Sequence, residues 1–523
     1  MRHPLGARVV KLWFILSGAD PGEQVVTLFD QLQYLYEFNG GRRQTPGLDR
    51  ATIARHAAAD PRLEKAVHAA RKVHDSLVAE HLAILKLDEK QQIEFLLDGF
   101  VNFYNEETIN PYVPLAGDGP WIVTSCGGVV FDAGGYGMLG QGHNPEMVLE
   151  ALAQPQVMAN IMTASFWHRE FVQVMRREIG SRRPSGKRQP FKRFLCLNSG
   201  SESVTLGMRI ADTNAFNLTS KGSVHQGKTI KFLSFVGSFH GRTERPAQAS
   251  HSSLPNYRAK LASFRDKDNL ITIEPNDIAA LELAFKNADE EKVFIEALLF
   301  EPVMGEGNPG LALDPAFYQR ARELSVQHGS MLIIDAIQAG LRAHGCLSIV
   351  DYPGFENLDP PDIETYSKAL NAGQFPLSVV AFGPRAQDIY ARGTYGNTMT
   401  GNPRALAVAC SVLNALTPEL RANVVDRGIE AVAKLKVLAA EFPAVIEKVQ
   451  GTGLLFSVAI NPKVFKVIGA DALETFLRKN GFGVIHGAAN SLRYTPTFDI
   501  TSLQIDLLVE TLRHALRNAP RIK

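Results

Sequence analysis

Cysteine is almost absent from the chain. Four residues in 523, at positions 126, 196, 346 and 410, stand far apart and form no CxxC or Cys/His cluster. That excludes a zinc site built on such spacing and a disulfide framework, and it suits a reducing, cytoplasmic compartment. An excess of one charge is missing too: 55 Lys and Arg oppose 54 Asp and Glu, a formal charge of +1. No global field would draw the chain to nucleic acid or to a membrane surface. Nothing approaches the length of a membrane-spanning apolar run. The first twenty residues carry Arg2, Arg8 and Lys11 and no acid before Asp20. Their apolar run is short and no small-residue cleavage pattern follows, so the start is expected to be disordered rather than a targeting segment. No internal repeat or low-complexity tract is present.

What remains is an ordinary globular composition, 45% hydrophobic and 21% charged, in a chain long enough for more than one domain. Residues 1–108 read as a helical N-terminal extension, with apolar residues at helical spacing in "EQVVTLFDQLQYLYEF" and "LDEKQQIEFLLDGFVNFYN". From about residue 190 short apolar runs alternate with helical patterns: "FKRFLCL", "TIKFLSFV", "VFIEALLF", "SMLIID", "DIETYS" and "PLSVVAFG" as strands. The alternation predicts an α/β fold with a mostly parallel, helix-covered sheet, here given the bounds 109–400. Residues 401–523 open on a helix, "NPRALAVACSVLNAL", and continue as a smaller α+β part with "GTGLLFSVAI" and "SLRYTPTF" as strands.

Two features invite over-reading. Gly135-x-Gly137-x-x-Gly140 matches a dinucleotide fingerprint, but no helix opens within it and no strand ending in an acid follows; a pocket-lining turn is the better reading. The basic cluster Arg176, Arg177, Arg182, Arg183, Lys187, Arg188, Lys192 and Arg193 is read as a solvated loop.

The chemistry gathers around "ETYSKALNAG". Lys368 follows a strand and has no acid on the next turn to pair with. "NSGSE" precedes a helix, so the N–H groups of Gly200 and Ser201 sit where a helix start attracts phosphate. Phe239 can stack on a planar ring, while His240 beside it reads as a structural hydrogen-bonder. Asp335 ends the strand "MLIID", with Gln338 three residues on. A phosphate cradle, an aromatic platform, a carboxylate and an apolar-set lysine meet the needs of pyridoxal 5′-phosphate (PLP): an amine to hold its aldehyde, and an acid to keep its pyridine nitrogen protonated.

In this order "NSGSESV", "FHGRT", "EPVMGEG", "LIIDAIQAG", "YSKAL" and "TGNPRA" resemble the class III PLP-dependent aminotransferases, the family of the 4-aminobutyrate, ornithine, acetylornithine and lysine-ε enzymes, over roughly residues 115–520. The resemblance implies fold type I and a homodimer with its sites at the subunit interface. It implies Lys368 as the Schiff-base lysine and Asp335 as partner of the pyridinium nitrogen. Gln338 is implied for the ring hydroxyl, Ile337 and Phe239 for the two ring faces, and Gly200 and Ser201 for the phosphate. Thr398 is implied for the neighbouring subunit's phosphate. Glu306 and Arg493 match a gating glutamate and the arginine that it covers, which would bind the carboxylate of 2-oxoglutarate or glutamate. Met304, Ala336 and Asn308 stand where the family usually has Gln, Glu and Gly. The expected activity is transfer of an amino group from an ω-amine or amino acid to 2-oxoglutarate or a similar oxo acid, with no metal. The alternatives are an aminomutase, epimerase or decarboxylase on the same scaffold, or a non-catalytic protein that keeps the fold.

Overall fold

The computed structural model describes residues 26–158 and 162–522. The expectation for the first twenty residues lies outside them.

The N-terminal part is helical, at Leu28–Phe38, Arg50–Ala59, Pro61–Leu85 and Glu89–Leu96. Each helix begins where the sequence supplies an oxygen for its free amides: Thr27, Asp49, Asp60 and Asp88 accept from first-turn N–H groups, and Pro61 stands where its missing N–H costs nothing. Asp60 does more than cap. It also accepts from the buried Trp121 Nε1 at 2.9 Å and from Gln504 Nε2 at 3.2 Å, and it pairs with Arg62. Trp121 opens the second strand of a meander, β1 (Pro114–Asp118), β2 (Trp121–Thr124) and β3 (Val129–Asp132). Gln504 belongs to the last helix, Ser502–Asn518. One carboxylate thus joins the first helices to the last.

The central sheet has seven strands: β4 (Arg193–Leu197), β5 (Thr229–Phe235), β6 (Leu270–Ile273), β7 (Val293–Phe300), β8 (Met331–Asp335), β9 (Ile363–Tyr366) and β10 (Ser378–Phe382). Their order is β4-β10-β9-β8-β7-β5-β6. Only β10 runs against its neighbours, so the sheet is mostly parallel, as its run of alternating elements predicts. Both faces are dry. Leu332 and Ile334 point into one apolar core and Ile333 into the other, as Leu298 and Leu299 do on β7. β6 was not read from the sequence; its "LITI" is too short to stand out.

The C-terminal sheet is built from β11 (Ile446–Thr452), β12 (Leu455–Ile460), β14 (Ile485–Gly487) and β15 (Ser491–Tyr494), in the order β11-β12-β15-β14. β13 (Phe482–Gly483) instead pairs in parallel with β3. The stretch "GTGLLFSVAI", expected as one strand, is the close of β11, a turn and β12. Gly453 makes that turn at φ +55°, and a Cβ there would fall 2.0 Å from the Ala343 carbonyl oxygen. The helix Pro403–Asn414 packs on the helices Glu146–Ala153 and Phe166–Glu178, ahead of the C-terminal sheet.

The basic cluster is only partly solvated. Arg183 is buried and donates to the carbonyls of Lys187 and Leu358, and Arg182 donates through its amide to Asp351. These residues tie a loop down. Among the described residues no helix is long and apolar enough to cross a membrane.

Candidate active site

Six strands of the central sheet point the same way, so their carboxyl ends meet on one edge. Ligands of open α/β sheets bind at that edge. β9 delivers Lys368, β8 delivers Asp335, β5 leads to Phe239 and His240, β7 to Glu301, and β4 to the helix Gly200–Thr219.

Lys368 has a left-handed backbone, φ +48°, a conformation that a residue with a side chain rarely adopts. Its Nζ donates to Gln338 Oε1 at 3.0 Å. Burial first, and then the nearby Arg493 guanidinium, lower the pKa of the amine to about 8. Ala369 and Leu370 beside Lys368 are buried, which is the apolar setting read from the sequence, while the amine itself stands among Gln338, Asp335, Glu306 and Arg493.

Asp335 is buried at the end of its strand. Oδ2 faces His240 Nδ1 at 3.0 Å, and Oδ1 accepts from Ile337 N at 3.2 Å and Thr365 Oγ1 at 3.3 Å. His240 is fully enclosed and its Nε2 has no partner among the described residues. Glu301 is buried nearby, with Oε2 also unpartnered among the described residues; burial pushes its pKa up to about 7, with His240 pulling it down and Asp335 adding to the rise. His240 therefore serves Asp335, in line with its reading as a hydrogen-bonder. Glu301 was missed. The signal was an acid closing the wholly apolar end of β7, in the same motif as Glu306.

At the helix start Ser199 caps the first turn together with Glu202, which satisfies the Glu202 amide and leaves the N–H groups of Gly200 and Ser201 with no hydrogen bond among the described residues. A Cβ on Gly200 would meet Ile337 Cδ1 at 2.7 Å, so a side chain there would push Ile337 from its place. Ser201 Oγ accepts from Arg242 N at 2.6 Å and from Thr243 N at 3.3 Å, fixing the "FHGRT" loop to the helix start. Phe239 and Ile337 are both half-buried at this edge. Thr398 is exposed on a turn, anchored beside the helix start by Asn397, which donates to Glu202 at 3.2 Å.

Glu306 and Arg493 meet. Arg493 Nη1 lies 2.8 Å from Glu306 Oε2 and also donates to the Gly305 carbonyl. Arg493 is buried, while the Glu306 side chain is one-third exposed. The glycine turn read as pocket lining is just that. Gly137 N donates to Thr495 Oγ1 at 3.1 Å, and a Cβ on Gly137 would stand 3.7 Å from Lys368 Cδ.

Two further guanidinium groups escaped the sequence reading. Arg242 sits at the mouth over the Phe239 ring, 5.3 Å from its centroid, with no acid partner among the described residues. Arg342 is wholly buried, has no acid partner among the described residues, and donates to the carbonyls of Leu454, Pro496 and Gly137. Its pKa is lowered to about 9 by burial.

The donor set fits PLP. Two free amides and a helix dipole suit the phosphate, the buried Gln338 Nε2 lacks a partner beside the lysine, and Asp335 is held by donors that keep its carboxyl in place.

The comparisons agree. The family model for class III aminotransferases matches residues 103–516. The acetylornithine aminotransferase of Xanthomonas axonopodis pv. citri (strain 306) is 30% identical over 379 residues, covering 71% of this chain and 84% of that protein. The ornithine aminotransferase 2 of Staphylococcus aureus (strain Mu50 / ATCC 700699) is 28% identical over 78% of this chain and 94% of its own. The same fold occurs in the ornithine aminotransferase of Toxoplasma gondii, solved with partial occupancy of PLP at its active site. It aligns at a TM-score of 0.70 and 24% identity, over 84% of this chain and 97% of that one. With the family's motifs in order along one sheet edge, the chain belongs to the class III aminotransferases and is a PLP-dependent transaminase.

Proposed function

We propose that this transaminase moves an amino group from an ω-amine or an amino acid to 2-oxoglutarate or a similar oxo acid. The observation that carries this reading is the Glu306–Arg493 pair, 2.8 Å apart and near Lys368. A guanidinium fork is suited to a carboxylate, which it binds through two parallel hydrogen bonds. With Glu306 on it, Arg493 offers a neutralised wall to a donor that has no carboxylate near its amine. With Glu306 swung aside, it binds the acceptor's carboxylate. One site thus serves two unlike substrates in turn.

PLP, when bound, supplies a ring that draws electrons from the substrate carbon. Lys368 would hold the cofactor, and its amine, titrating near 8, is a base able to take and return a proton at Nζ. Asp335 would hold the pyridine nitrogen protonated, with His240 and Thr365 fixing its orientation. Gln338 would reach the ring hydroxyl through Nε2, Phe239 and Ile337 would cover the ring faces, and Gly200 and Ser201 would bind the phosphate through their amides.

We also propose a homodimer in which Thr398 serves the neighbouring subunit's phosphate; its exposure leaves the hydroxyl free for that contact. The division at residues 108 and 400, and a cytoplasmic site of action, belong to the same reading. The test is a donor screen that follows glutamate formation from 2-oxoglutarate. Ornithine, N-acetylornithine, 4-aminobutyrate and simple alkylamines are expected to include at least one efficient donor. Amino transfer to pyruvate or glyoxylate alone would overturn the choice of acceptor.

A further inference from the structure

We infer that the N-terminal extension gives this active site a pocket for the apolar tail of the amino donor, with Ile93, Leu96, Leu97 and Tyr104 as its walls and Tyr136 at its opening. The inference rests on the transaminase reading and narrows its donor to an amine with an uncharged, apolar body.

A cavity of about 350 Å³ lies where the last helix of the extension meets the arm that leads into β1. That volume falls in the range of small-molecule sites. The class III match begins at residue 103, so Ile93, Leu96 and Leu97 lie ahead of it. No charged side chain lines the cavity; its polar members are Asn102, Thr108, Asn110 and the tyrosines. A carboxylate or ammonium would find no partner there, whereas a hydrocarbon chain would leave water for a favourable surface.

Of the residues lining the cavity, Tyr136 stands nearest the chemistry in the chain, next to Gly137. Tyr136 is held at φ +48°, and Gly137 faces Lys368 and Gln338. The Tyr136 ring also lies 6.0 Å from the Arg493 guanidinium. On its other side it meets Tyr104 at 5.8 Å between centroids, and Tyr104 meets Phe103 at 4.2 Å. Both of these rings lie under the Arg242 guanidinium, at 5.8 Å and 5.2 Å, which also covers Phe239. The rings of Phe103, Tyr104 and Tyr136 are thus in contact with one another, and the Arg242 guanidinium bridges Phe103 and Tyr104 to Phe239. The segment that carries it leaves much apolar surface open: Leu96 is 51% exposed, Phe100 71% and Phe103 69%. Exposed apolar surface of this kind beside a site marks it for binding.

The holoenzyme should be assayed with a series of 1-aminoalkanes, from butylamine to octylamine. Each methylene buried in the cavity is expected to raise kcat/KM by about fourfold until the cavity is filled. 1-Hexanol, which has the tail and no amine, should inhibit competitively against butylamine. Leu97→Trp, which fills the cavity, should flatten the series and abolish the hexanol inhibition. A flat series, together with no hexanol inhibition, in an enzyme that transaminates other donors would overturn the pocket and leave the transaminase reading intact. A Leu97→Trp enzyme that keeps the chain-length slope would overturn it as well. Failure of every amine and amino acid as donor would overturn both.

Discussion

Lys368 Nζ is held at 3.0 Å by the amide oxygen of Gln338, a neutral acceptor. A carboxylate in that place would favour the charged amine and raise its pKa. The neutral acceptor leaves burial and Arg493 to keep the amine near 8. Since the neutral form is the nucleophile, capture of PLP by the apoenzyme should speed up as pH rises through about 8 and level off above it. Gln338→Glu should move that rise to higher pH. The growth of the cofactor's visible band after mixing, followed across pH, measures both, and coincident profiles would reject the role given to Gln338.

Replacing Lys368 by Ala should abolish turnover while the phosphate cradle at Gly200 and Ser201 still admits PLP. Equilibrium dialysis of PLP, read beside an assay, separates the two effects. Near-normal transamination by the variant would contradict the assignment.

Asp335→Asn keeps the shape and most hydrogen bonds of the side chain but removes the charge facing the pyridine nitrogen. Loss of such a group is worth on the order of 2–4 kcal/mol in the transition state, or roughly 30- to 1,000-fold in rate. The loss should appear in kcat for the half-reactions and much less in substrate affinity. Stopped-flow measurement of each half-reaction gives the comparison.

Arg493→Ala should damage the acceptor half-reaction most, by about 1.5–3 kcal/mol for a lost charge-assisted hydrogen bond. Glu306→Ala should instead penalise donors without a carboxylate beside the amine, because it leaves the buried Arg493 uncompensated. Equal damage to both half-reactions in both variants would show that the pair does not switch.

Asp60→Ala should cost about 2–4 kcal/mol of stability, since it strands the buried Trp121 indole N–H and the Gln504 amide while Arg62 keeps Asp499 as its partner. Thermal unfolding followed by Trp fluorescence should show a clearly lowered midpoint. Asp60→Asn, which retains an acceptor, should lose less.

The sheet was legible because its strands are fully apolar and separated by helical patterns, as "VFIEALLF" shows by matching Val293–Phe300 residue for residue. The turn at Gly453 was hidden because both flanks are apolar and only the approach of the Ala343 carbonyl demands a glycine there. The same division holds in the site. Lys368 and Asp335 are legible at the ends of apolar strands, whereas Glu306 and Arg493 are reached only through the resemblance to the family's motifs. Glu301, Arg242 and Arg342 acquire meaning from contacts made across the fold. For Arg342 these are carbonyls more than a hundred residues away along the chain, which no local pattern encodes.

The Glu306–Arg493 pair has a mechanical side. Glu306 belongs to the loop that leaves the central sheet and Arg493 to a strand of the C-terminal sheet, so the ion pair is a strut between two separately built layers. Under the proposed switch, an oxo acid that displaced Glu306 from Arg493 would put its own carboxylate in the strut's place, and the substrate would become a link between the layers. The other ties between these layers, Gln450 to Asn308, Ser457 to the Pro309 carbonyl and the Ala488 amide to the Glu306 carbonyl, do not involve the Glu306 carboxylate, so they would hold the loop in register while the side chain swings.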